Sequence, residues 1–113
     1  MIINICKDFS DTPGARYISE GKYSGEEFRE SILIPAYEKV VNSNEKIIIE
    51  MDGGYGYPTS FLEEAFGGLA RKFSPESVTK KLDFISEDEP ALVDEVKGYI
   101  LDANIRRKVG NEN

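Results

Sequence analysis

The run Ile47-Ile48-Ile49, extended by Met51 and Asp52, leads directly into Gly53-Gly54-Tyr55-Gly56-Tyr57-Pro58 and then into a helix-forming stretch. A short unbroken apolar run between turn signals predicts a central strand covered on both faces. Strand, tight turn and helix in immediate succession point to an α/β layer. Ser60-Phe61-Leu62-Glu63 matches a capping box, with Ser60 as N-cap of a helix reaching about Phe73. Phe61, Ala65 and Leu69 share one stripe of that helix, while Glu63 and Glu64 fall in its first turn, as the helix dipole prefers.

The flanking segments fit the same class. Ile2 to Lys7 reads as a short strand, and its lack of a basic leader or signal-length apolar region places it in the fold. A polar stretch with Pro13-Gly14 and Gly21 follows, in which Arg16-Tyr17-Ile18-Ser19 predicts a second short strand. Ser24-Gly25-Glu26-Glu27 is another capping box. Its helix carries Phe28, Ile32, Ala36 and Val40 on one face, and Pro35 should kink or split it. Ser74-Pro75 predicts a helical turn through Lys80, Leu82 to Ile85 a last strand, and Glu89 to Lys108 a final helix. The expected architecture is a small mixed or mostly parallel sheet of about four strands with three main helices. A chain of 113 residues fits one domain, expected over residues 1–109 with a frayed tail at 110–113.

Composition closes many functional classes. Fourteen basic against 21 acidic residues give a net charge of −7, which repels nucleic acid and anionic membranes. The basic triplet Arg106-Arg107-Lys108 reads as the cationic end of a helix. Histidine is absent and Cys6 is the sole cysteine, so no imidazole-based acid–base scheme, Cys/His zinc site or intrachain disulfide is available. No cofactor or metal is called for, and a reducing, cytoplasmic setting is expected. No apolar run approaches the ~20 residues that span a bilayer.

The candidate surface gathers around the glycine-rich turn. Gly53, Gly54 and Gly56 offer backbone amides to an anion beside a helix N-terminus, but the turn lacks the third glycine of a dinucleotide loop and the Gly-Lys-Ser/Thr of a P-loop. Tyr55 and Tyr57 suit a contact surface or a packed lid. Asp52 accepts amide hydrogen bonds or holds a cation, and Arg16, beside Tyr17, pairs with a carboxylate such as Asp52 or clamps an anionic ligand. Gly67-Gly68 slims the helix for close packing or for a docking partner. Ser60 or Thr59 at the strand–helix junction is the candidate phosphoacceptor, next to Glu63 and Glu64.

Pro13-Gly14-x-Arg16-Tyr17, Ser24-Gly25-Glu26-x-Phe28, Asp52-Gly53 and the run Ser60-Phe61-Leu62-Glu63-Glu64-Ala65-Phe66-Gly67-Gly68-Leu69 resemble a bacterial STAS-like domain family of unknown function, similar to anti-sigma-factor antagonists. The resemblance covers Ile2 to Phe73 well and the last third in layout. It implies a compact, non-catalytic regulatory α/β module that binds a protein partner, such as a histidine-kinase-like ATPase that phosphorylates a serine at the position of Ser60. This chain departs from the relatives' pattern: Asp52 lies well upstream of the hydroxyls, and Phe61 replaces a glycine. A homo-oligomer is compatible with this reading. The alternative is a sensor of small ligands, nucleotides or anions that uses the Gly53–Gly56 turn and Arg16.

Overall fold

A computed structural model describes residues 1–112, with side chains described through Ala103. Of the tail expected at 110–113, only Asn113 lies outside the described residues, residues 110–112 continuing the last helix; the side chains of Arg106-Arg107-Lys108 also lie outside them. Three strands, β1 (Ile2–Asn4), β2 (Ile47–Glu50) and β3 (Leu82–Ile85), form a wholly parallel sheet in the order β1-β2-β3. Five helices accompany them: α1 (Ile5–Asp8), α2 (residues 25–40), α3 (residues 59–72), α4 (Pro75–Lys81) and α5 (Ala91–Glu112). Among the described residues the fourth strand expected at Arg16–Ser19 does not form; Ile18–Glu20 is instead a single 3₁₀ turn. Local bonding explains the difference, because Glu20 closes that turn by accepting a hydrogen bond from the Tyr17 amide at 2.9 Å. The expected three main helices are likewise five, since the turns after β1 and at Pro75 close into short helices of their own.

The sheet is one-sided. Ile3, Ile47, Ile49 and Leu82 are buried, whereas Ile2, Asp83 and Ile85, on the opposite face, are exposed and Ile48 is half-buried. Coverage of β2 on both faces, which the isoleucine run suggested, is therefore corrected: the run alternates buried and half-buried. Strand order supplies the reason. Right-handed crossovers that add each strand on the same side of the last leave their helices on one face.

Both long inner helices contain a π-turn. In α2, Gly25–Phe28 is followed by a π segment at Arg29–Leu33 and then by Ile34–Val40, so the chain passes through Pro35 without a split. The wider turn before the proline accommodates its missing amide. Ser24 caps α2 as expected, accepting from the Glu27 amide at 3.0 Å. In α3 the π segment is Glu63–Gly67, between Thr59–Leu62 and Gly68–Lys72. Residues 61–70 of α3 are all buried, which makes it the central helix of the domain. Phe28 of α2 packs its ring against Phe61 and Phe66 of α3, with centroids 5.8 and 6.1 Å apart.

Burial separates the neighbouring isoleucines sharply. Ile49→Ala should lower the unfolding free energy by about 3 kcal/mol and Ile48→Ala by about 1 kcal/mol, measured by urea denaturation.

Candidate functional site

The loops that leave the carboxyl ends of the three strands meet at one end of the sheet, where open parallel sheets place their ligand sites. The glycine-rich loop, residues 51–58, lies between the other two. The Tyr55 amide donates to the Asp11 carbonyl at 3.0 Å, and the Cys6 thiol donates to the Gly53 carbonyl at 3.3 Å. On the other side, Asp52 accepts from the backbone amides of Glu87 and Asp88 at 2.8 and 2.9 Å. Asp52 thus ties β2 to the loop before α5 and, among the described residues, pairs with no arginine. Those two amide donors hold its carboxyl below the usual carboxylate range. Gly53 and Gly56 turn with φ of 98° and 118°, which L side chains rarely adopt.

The two tyrosines of this loop divide the roles that the sequence left open. Tyr57 is half-buried, stacks on Phe61, and donates its hydroxyl to the Met51 carbonyl at 2.8 Å. Burial pushes its phenol above the ordinary tyrosine value, with smaller contributions from Cys6 and Asp52. Tyr55 points the other way and is 86% exposed. Between the loop and the start of α5 lies a cleft of about 110 Å³, lined in part by Asp52, Tyr55, Tyr57 and Asp88.

Pro58, extended at ψ 141°, is the N-cap of α3, and its carbonyl accepts from Phe61 and Leu62 at 3.1 and 3.3 Å. Ser60 is therefore not the cap. The fixed φ of the proline sets the helix start, and Thr59 becomes its first residue. Thr59 is exposed and Ser60 half-buried. Thr59 lies beside Tyr99, whose hydroxyl donates to Glu95 at 2.7 Å. Burial first, and Glu95 second, raise the Tyr99 phenol above its ordinary value.

Glu63 and Glu64 do something that capping does not explain. They are only 6% and 8% exposed, and three arginines converge on them. Arg16 bonds to Glu63 and, at 3.2 Å, to Glu64. Arg71 bonds to Glu63 at 2.5 Å, and Arg29 bonds to Glu64 at 2.5 Å through its carboxylate and at 2.8 Å through its main-chain carbonyl. The Glu63 bond in particular raises the pKa of Arg16, so its guanidinium stays charged. Arg16 and the exposed Tyr17 sit with this network, and the structure does not bring Arg16 to Asp52.

Gly67 and Gly68 are buried beneath the same arginines. A methyl group on Gly67 would lie 2.5 Å from the Glu63 carboxylate, and one on Gly68 would collide with the Arg29 guanidinium. The missing side chains thus make room for guanidinium groups. Arg29 and Arg71 escaped sequence reading because each looked like an ordinary helix-surface cation. The available signal was the glycine pair set between Glu63-Glu64 and Arg71.

A family model described as a STAS-like domain of unknown function (DUF4325) matches residues 24–92. Neither the curated proteins nor the solved structures provide a significant match. No helix among the described residues is long and apolar enough to cross a membrane.

Two substitutions test this geometry. Helix propensity alone favours Gly68→Ala by up to about 1 kcal/mol. Displacing Arg29 from a buried carboxylate reverses the sign, so a net loss of roughly 2 kcal/mol or more is expected in urea denaturation. For Asp52 the folded pKa lies below the unfolded one, so its contribution is present above the unfolded value and fades as pH falls through the folded value. The stability gap between wild type and Asp52→Asn should therefore be widest near neutrality and shrink between about pH 5 and pH 3.

Proposed function

The chain belongs to this STAS-like family of unknown function, whose model spans more than half of it, and from that premise we propose a non-catalytic regulatory module. It docks a protein partner through the Gly53–Thr59 loop at the carboxyl end of the sheet. The observation that carries this reading is Tyr55, 86% exposed on a loop that is fastened to its neighbours on both sides. A large aromatic side chain held on a pre-ordered loop loses little freedom on binding and makes an effective anchor. Asp52, Gly53, Gly54, Gly56 and Tyr57 shape and hold the loop, while Glu63, Glu64, Gly67, Gly68 and Arg16 fix the helix behind it, and Tyr17 lies exposed beside Arg16.

Control by phosphorylation fits Thr59 better than Ser60, because Thr59 is exposed at the first position of α3. A phosphate there would bring about two negative charges beside Tyr99, Glu95 and the docking loop. The class of partner, a histidine-kinase-like ATPase, comes from the resemblance to anti-sigma-factor antagonists, as does a cytoplasmic, bacterial setting. The anion-sensor alternative is weaker, since Arg16 is engaged by Glu63 and Glu64 and the Tyr55 amide by Asp11.

The test is calorimetric titration against the kinase-like ATPases of the source organism, with intact-mass readout after incubation with ATP. Tyr55→Ala should weaken binding at least about tenfold with the melting temperature unchanged. Thr59→Glu should weaken it similarly, and Thr59→Val should abolish phosphate incorporation. Binding indifferent to Tyr55→Ala, or no binding to any such ATPase, would sink the proposal.

A further inference from the structure

Each buried carboxylate of α3 is shared between guanidinium groups. Arg16 stands between Glu63 and Glu64 and hydrogen-bonds to both, whereas Arg71 hydrogen-bonds to Glu63 and Arg29 to Glu64. Three positive charges therefore meet two negative ones, with no side chain among the five more than 29% exposed. Arg29 and Arg71 also line a cleft of about 310 Å³ between α2 and α3, together with Glu30, Glu64, Gly68 and Lys72; Arg16 does not. A guanidinium carries five N–H donors, and the clamp engages only Nη1 of Arg29 and of Arg71. The next approaches, Arg29 Nε to Glu30 at 3.9 Å and Arg71 Nη2 to Glu64 at 3.8 Å, are too long for hydrogen bonds. Exposed Lys72 adds an ammonium at the rim. In a chain of net charge −7, a cleft whose cations outnumber its carboxylates three to two runs against the overall charge.

We propose that this cleft binds a phosphate monoester. Two planar guanidinium groups with unengaged Nε and Nη2 edges suit a ligand with several acceptor oxygens, and the fork of each matches phosphate bidentately. Partial burial strengthens such bonds relative to an open surface. Arg29 and Arg71 are already held in place by Glu64 and Glu63, so little side-chain freedom is lost when an anion arrives. Gly68 completes the arrangement, since a methyl group there would displace the Arg29 guanidinium. A volume of about 310 Å³ lies at the small end of ligand sites, enough for a phosphate and the group that carries it. Glu30, on the rim, opposes an anion, but its side chain is 51% exposed and its charge is correspondingly screened. The cleft flanks the second half of α3, whereas the Tyr55 loop precedes the first turn of that helix, and this inference stands or falls independently of the partner proposed there.

Amide chemical-shift titration at low ionic strength tests it, with inorganic phosphate and a short phosphoserine peptide as separate probes. Both should give saturable shifts centred on Gly68 and its neighbours, with millimolar affinity for inorganic phosphate. Tighter binding of the peptide marks a protein-borne phosphate and tighter binding of the free ion a soluble one; either supports the site. Lys72→Gln should weaken binding roughly threefold and Glu30→Gln should tighten it by a similar factor. Both positions are exposed, so thermal unfolding without phosphate should be unaltered. No saturable shift at about 50 mM phosphate overturns the inference. So does a shift that chloride reproduces at equal ionic strength, or an affinity that neither Lys72→Gln nor Glu30→Gln moves.

Discussion

Two carboxylates held under three guanidinium groups organise this domain. Glu63 and Glu64 lie on the π segment of the central helix, and the arginines reach them from three different places in the chain. Arg29 comes from the π segment of α2, Arg71 from the last turn of α3, and Arg16 from the loop after α1. Buried charges are costly to desolvate, and every group in such a cluster must find its partners. Here no described buried side-chain nitrogen or oxygen is left without one. The result is a polar clamp that holds α2, α3 and the first loop in one register, where an apolar contact of the same size would tolerate sliding.

The remainder of the molecule follows from that clamp. Since α3 is enclosed along residues 61–70, its outward contribution is limited to its two ends, and the loop before it becomes a free surface of the unit. That loop is stiffened by bonds to the segments on either side, so exposure at Tyr55 is not slackness. The glycine pair belongs to the same logic. Its cost in helix propensity is set against room for Arg29 and Arg71 above the helix.

One-way strand order has an opposite consequence. It concentrates the helices on one face and leaves Ile2, Ile48 and Ile85 on the other. Those isoleucines are interspersed with Lys46, Glu50 and Asp83 on the same face. The two surfaces, loop end and sheet face, differ in chemistry: one is aromatic on a polar loop, the other mixes isoleucine with charged side chains.

The sequence by itself determined the class, most element positions and the family. Strand and helix periods, Ser24 as a cap, and the restart at Ser74-Pro75 are local matters, decided within a few residues by backbone geometry and side-chain spacing. The loop residues Asp52 to Tyr57 were legible as a site candidate for the same reason, since glycine and tyrosine next to a strand end are conspicuous. Tertiary structure alone decided which charges meet and which faces are covered. Ser60 looked like a cap until Pro58 took the position, and Glu63 looked like a capping partner until Arg16, 47 residues away, engaged it. Ile48 looked as central as Ile47 until strand order left one side of the sheet bare. Such pairings are set by distance in space, and a linear chain carries no local mark of the neighbour that folding will bring.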